Sequence, residues 1–253
     1  ATALDKLTSL LAASGADGGE VVRFAQKLAG AREKLGDEAG VEDALGRALA
    51  VDVRNQDVRQ SLRALFEKRK KWDKLAALLA EDAELVTGDD DAANAERVKI
   101  LRHTAQIHVK ERGAPGDAVP LLERAAGLAP QDRELLLLLC DAYTAASRER
   151  DATQVLEKII ASFGGKRTKE LSVYHHRLGR ALARLGDRDV ALTQFDLAFK
   201  IDPGSIEVLR DLGVLALETG DLDRAQKTFR ALLLRRLAAG RQHQPLRRRL
   251  NLL

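Results

Sequence analysis

Residues recur at a fixed interval in this chain, and the interval limits the fold more than any other feature. Leu178-Gly179, Gly186-Asp187, Ala191, Phe195 and Ala198 are matched by Leu212-Gly213, Gly220-Asp221, Ala225, Phe229 and Leu232, each 34 residues further on. Pro203 alone in this set has no counterpart. Self-similarity with a period of about 20–50 residues marks a stack of small units, none able to bury its apolar face by itself. Composition says what the units are made of. Ala, Leu, Glu, Lys and Arg dominate, aromatic residues are 4%, and there are five Pro and no Met in 253 residues. Such a chain builds helices, not a β-sandwich or a disulfide scaffold.

The frame extends backwards. Residues 99–132 carry Gly113, Ala118, Leu122, Ala125 and Pro130 at matching places, and 133–166 carry Cys140, Tyr143, Ala152 and Leu156. Earlier units are degenerate: Leu28, Gly36, Val41, Leu45 and Ala48 fit in 22–55, and Leu62, Phe66, Leu75 and Leu79 fit in 56–89, which lacks the Gly. Six units of 34 leave 14 residues of 22–239 over, carried as two insertions, 90–98 and 167–171. The expected organisation is therefore a cap or partial repeat at 1–21, degenerate units at 22–89, the insertion at 90–98, four better units over 99–239 and a basic tail at 240–253. The 90–98 insertion reads as a hinge. In the first segment Leu4, Leu7, Leu10 and Leu11 form an amphipathic stripe ahead of a Gly15–Gly19 linker.

The pattern of Leu-Gly, turn Gly, Ala, Phe, Ala and closing Pro resembles the tetratricopeptide repeat (TPR), most specifically over the last two units. The resemblance implies an all-α solenoid of about six helix-turn-helix units, wound as a right-handed superhelix with short capping helices at both ends. Elementary chemistry accounts for the residue types. Gly in a helix costs about 1 kcal/mol relative to Ala, so Gly179 and Gly213, like Cys140, must sit where another group approaches closely. A turn Gly can take the left-handed conformation that ends one helix, and Asp187 or Asp221 can cap the next. Pro130 and Pro203 stop the second helix.

Catalytic constellations do not emerge, and no enzyme is expected. Gly164-Gly165-Lys166-Arg167-Thr168 has the wrong spacing for a phosphate loop and suits a helix-joining insertion. His103 and His108 are five apart and His175 and His176 adjacent, so neither pair shares a helical face as metal ligands do. Asp89-Asp90-Asp91 lacks the Gly and distal Glu of a calcium loop. Cys140 is the single cysteine, so it can form neither an internal disulfide nor a zinc site alone. No cofactor or metal is implied.

Binding is what the resemblance does imply, through first-helix positions lining a concave groove. Carried over unit by unit, these are Ile100, His103, Ile107 and Lys110; Glu134, Leu137, Asp141 and Thr144; Val173, His176, Arg180 and Ala183; and Glu207, Arg210, Val214 and Leu217. Exposed Ile107, Leu137, Val214 and Leu217 would form an apolar floor, and His175 would pack internally. Members of the family that bind chaperone tails hold a C-terminal carboxylate with Lys, Arg and two Asn. This chain has only Asn55, Asn94 and Asn251, none at those sites. The expected partner is instead a protein helix or extended segment of mixed apolar and acidic character, captured to assemble a complex. End repeats offer a surface for self-association.

Charge supplies the alternative. Residues 230–253 hold seven Arg and no acid, whereas the first 229 carry 35 bases against 38 acids. Arg241, Arg247, Arg248 and Arg249 could serve an acidic protein, lipid headgroups or nucleic acid. Nucleic acid is disfavoured because no aromatic residues are interleaved for stacking. The competing reading is a cap: a helix stopping at Gly240 and Pro245, then Leu246, Leu250 and Leu253 folding over the last unit. No segment approaches the roughly 20 apolar residues of a membrane span. The lone thiol favours a reducing, cytoplasmic setting, although a removed signal leaves no trace, and the composition resembles that of a GC-rich bacterial genome. A docking fragment of a larger protein fits the same sequence.

Overall fold

In the computed structural model, Lys6 and residues 18–165 and 168–250 are described, the backbone alone for 238–250. The leucine stripe of residues 4–11 lies outside the described residues, as do the side chains of Arg241, Arg247, Arg248 and Arg249. Among the described residues there are twelve helices and no strand: α1 (Gly18–Lys34), α2 (Glu38–Val51), α3 (Gln56–Lys68), α4 (Trp72–Leu85), α5 (Asp91–Lys110), α6 (Pro115–Leu128), α7 (Arg133–Ala145), α8 (Glu149–Ser162), α9 (Lys169–Leu185), α10 (Arg188–Ile201), α11 (Ile206–Glu218) and α12 (Leu222–Leu250). Consecutive odd and even helices pack as hairpins, six in all, which is the architecture of an α-solenoid.

The turn between the helices of each hairpin contains one left-handed residue: Gly36, Lys70, Gly113, Ser147, Gly186 and Gly220, with φ between 53° and 90°. Neighbours in this series are 34 residues apart, except for 43 between Lys70 and Gly113 and 39 between Ser147 and Gly186. Four of the first helices, α3, α5, α7 and α11, start on side-chain caps. Asn55, Asp90, Asp132 and Ser205 accept bonds from the amides of Val58, Ala93, Leu135 and Val208.

The chain divides into two compact units, Ala1–Ala129 and Pro130–Leu253, so the boundary falls after the third hairpin and not in the 90–98 stretch. That stretch is not a loop: from Asp91 it forms the first turns of the 20-residue α5. Likewise Gly18 and Gly19 belong to α1 rather than to a linker. In unit 1 the core runs from Val22 through Leu45, Leu62 and Leu79 to Ile107. In unit 2 it gathers Cys140, Leu156, Tyr174, Leu178, Phe195, Leu212 and Ala225. Gly179 and Gly213 are required by rings: an added Cβ would lie 2.6 Å from Phe195 Cε1 at the first and 2.9 Å from Phe229 Cε1 at the second.

The expected stop at Gly240 does not occur. α12 continues through Gly240 and Pro245 to Leu250, 29 residues against the 14 of α10. Strong helix formers surround both residues, and they outweigh penalties of about 1 and 3 kcal/mol relative to Ala.

Candidate functional site

In unit 2 the first helices α7, α9 and α11 are laced together by charged side chains. Arg177 Nη1 on α9 donates to Asp141 Oδ1 on α7 at 2.6 Å. One repeat further on, Asp211 of α11 is a hub. Its Oδ2 lies 2.9 Å from His176 Nε2 and 3.7 Å from Arg180 Nε, and its Oδ1 accepts from Arg210 Nε at 2.8 Å. Both Arg180 and Arg210 have side chains about half exposed, at 53% and 54%. Each presents its Nε to Asp211, Arg210 by a hydrogen bond and Arg180 at ion-pair distance. Val214 and Leu217, one and two turns after Arg210, are exposed beside them, as is Val173 on α9.

His176 is mostly buried, with its ring tilted against Phe195 at a centroid distance of 5.6 Å. Burial pushes its pKa below the ordinary imidazole value, against the pull of Asp211. The neutral ring therefore carries its proton on Nε2, the only arrangement that lets it donate to the carboxylate. For Asp211 burial works upward, but the bonds from Arg210 and His176 prevail and hold its carboxyl below the usual range. The result is a fixed anion that bonds the Arg210 guanidinium and sits at ion-pair distance from that of Arg180.

Several expected groove residues are placed elsewhere. Ile107 is 5% exposed and belongs to the core of unit 1, because it shares the inward face of α5 with Leu101, Thr104 and Ala105. Ile100 and Leu137 are half-buried against the cores of their own units, so neither forms an open floor. His103 and Lys110 are exposed on α5 in unit 1. Glu134 is exposed, and Thr144 Oγ1 donates to Cys140 O at 2.8 Å. His175 is buried, its Nδ1 2.8 Å from Gln194 Oε1. Asp211 and Arg177 were not among the expected groove residues. Their signal is the spacing of the partners, 35 residues for His176 and Asp211 and 36 for Asp141 and Arg177, close to one period.

Unit 1 holds clefts of about 820 Å³ between α2 and α4 and about 520 Å³ between α1 and α3. The first is closed electrostatically by its own Glu42, which bonds Lys71 and Lys74 and has its carboxyl pKa lowered by them. The Cys140 thiol is pushed up to about 12 by burial, the opposite of a reactive cysteine. No group of three or more His, Cys, Asp or Glu among the described residues could hold a metal ion. No helix there is long and apolar enough to cross a membrane.

Paired helices repeating at a fixed interval define the class as helical-repeat proteins of the solenoid type. The tetratricopeptide repeat profile matches residues 110–167 and 178–250, just over half of the sequence. The chain therefore belongs to the tetratricopeptide repeat family. Similar solved structures include a chain of Naa15/Naa10 bound to HypK, with a TM-score of 0.67 at 17% identity, covering 92% of this chain and 37% of that one. A MamA structure labelled MSR-1 gives a TM-score of 0.52 at 22% identity, covering 74% of this chain and 99% of that one. At such identities the likeness shows the fold alone. No curated protein matches the sequence.

Proposed function

We propose that this chain is a non-enzymatic adaptor that holds a protein segment against the α9–α11 face of unit 2 and so brings partners into one complex. The observation that carries this reading is the pair Arg180 and Arg210, both half-exposed and both paired with Asp211, on the same face as exposed Val214 and Leu217. A guanidinium held this way loses little entropy when it engages a carboxylate, and the adjacent apolar pair excludes water from the contact. The ligand is a helix or extended segment with an acidic residue next to an apolar one. Membership of a family that generally serves as interaction scaffold supports the same reading, and the Naa15/Naa10 complex is itself bound to HypK.

The test starts from a displayed library of random peptides selected on the whole chain carrying Leu233→Asp, which takes the exposed apolar side of α12 out of the selection. Enriched peptides should carry acidic and apolar residues together, and Arg180→Glu combined with Arg210→Glu should weaken them by about tenfold or more without loss of helix content. Selection of basic peptides, or binding indifferent to the double reversal, would contradict the reading.

A further inference from the structure

The last helix carries a second surface that the groove does not use. α2, α4, α6, α8 and α10, the second helices of the other hairpins, are each 14 residues long, whereas α12 has 29. On its described part, Leu222, Phe229, Leu233 and Leu237 fall within a sector of about 80° at 3.6 residues per turn. All four are exposed, Leu222 at 65% and Leu233 at 58%.

The preceding hairpin is an internal control. Phe195 and Phe199 on α10 stand one repeat before Phe229 and Leu233. Phe195 is 2% exposed and Phe229 37%. Phe195 and Phe199 join a cluster with Leu212, Leu215 and Ala216 of α11. Inside the fold, then, an α-helix covers this position. At α12 the described backbone continues as one helix to Leu250 and does not turn back over this face.

Charge specifies the occupant. From Arg224 onward the sequence has no acid. Arg230 lies about 20° beyond one edge of the apolar sector and Arg236 about 20° beyond the other, by the same helical geometry. A second copy paired over Phe229–Leu237, beyond the reach of Asp223 in the first turn, would set Arg against Arg, a juxtaposition that interfaces avoid. We propose that the Phe229–Leu233 face of α12 receives an amphipathic helix with acidic flanks from another protein, laid on α12 as α11 is laid on α10. This surface is independent of the α9–α11 face.

The experiment uses the whole chain and three fluorescein-labelled synthetic peptides of about 18 residues, long enough to be helical when bound. One has a Leu stripe at helical spacing with Glu elsewhere, one the same stripe with Lys, and one the acidic sequence interrupted by Pro. By fluorescence anisotropy the intact acidic helix should bind at least about tenfold more tightly than either control. Leu233→Asp should remove that advantage, Arg230→Glu with Arg236→Glu should transfer it to the Lys peptide, and Arg180→Glu with Arg210→Glu should leave it unchanged. Far-UV ellipticity of each variant reports that the fold is kept. Equal binding of the acidic and basic helices would overturn the proposal. So would an acidic helix lost with the Arg180 and Arg210 reversals but kept in Leu233→Asp, or a dimer of the chain alone that Leu233→Asp abolishes.

Discussion

Arg59 is fully buried in unit 1, and its charge is met in full by neighbours. Its Nε donates to Val53 O at 2.6 Å and its Nη1 to Asp82 Oδ1 at 2.7 Å, while Arg63 Nε donates to Asp82 Oδ2 at 2.8 Å. Removing Asp82 takes away the buried carboxylate and leaves Arg59 with Glu81 Oε2 at 3.2 Å and the Val53 carbonyl, so Asp82→Ala should cost about 1.5–3 kcal/mol, measured by urea unfolding followed at Trp72. A loss no greater than that of a surface substitution would show that Arg59 finds another partner. At His176 the sign runs with pH. Burial places its folded pKa below the ordinary 6.5, so the unfolded chain takes up a proton there first. Stability from this site is complete above the ordinary value and declines as pH falls through it toward the folded value. His108 is lowered by burial as well and acts in the same direction. Asp211, with its pKa held below 3.8, stays ionised through that window. Thermal melts should therefore show a drop in midpoint between about pH 7 and 5 that is smaller in His176→Gln; an equal drop in both would contradict this account.

At the level of elements, the turns report most clearly how sequence and conformation are related. Four of the six left-handed positions are Gly, but Lys70 and Ser147 occupy the same conformation at 53° and 57°. An L-residue there costs roughly 1–2 kcal/mol, and Gly restores part of it as unfolded-state entropy. Ser147→Gly should thus raise stability by about 0.5–1 kcal/mol in urea unfolding, and a decrease would mean that Ser147 contributes something the backbone does not show. Apolar and glycine positions were legible because they repeat: Gly179 and Phe195, or Gly213 and Phe229, announce each other by spacing. Helix ends were less so. Asp221 Oδ1 does cap α12 by accepting from Arg224 N, but the equivalent Asp187 makes no such bond. The α5 start went unread because an insertion suggests a loop, although Asp90 followed by Ala92, Ala93, Ala95 and Glu96 is a capped run of helix formers. At Gly240 and Pro245 the local stop signals were taken at face value, and neighbouring preferences overrode them.

For the whole molecule, two cores matter more than one period. One gathers residues from Val22 to Ile107 and the other from Cys140 to Ala225. In a repeat protein, stability is mostly local and nearest-neighbour. Leu209→Ala, at a fully buried site in unit 2, should cost about 2–5 kcal/mol and displace the far-UV transition well before that of Trp72 fluorescence in unit 1. Equal displacement of both would mean that the chain unfolds as one cooperative body. The family and its hairpins could be read from the sequence, and so could the exposure of Arg180, Arg210, Val214 and Leu217. The hub could not, because a charged residue such as Asp211 has no apolar periodicity to betray it and gains meaning only from a partner 35 positions away. Ile107 lies in the core, and Leu137 partly against it, for the converse reason: an apolar side chain at a first-helix position serves the core whenever the helix is rotated to bury it.

The most direct measurement places a photo-reactive amino acid at Val214, at Leu217 or, as a control, at Val190, which is equally exposed but lies at the start of α10. A peptide selected on the chain should cross-link from 214 and 217 and not from 190. Labelling from 190 as strongly as from 214 and 217, or from none of the three while the peptide remains bound, would contradict the claim that the α9–α11 face receives the partner.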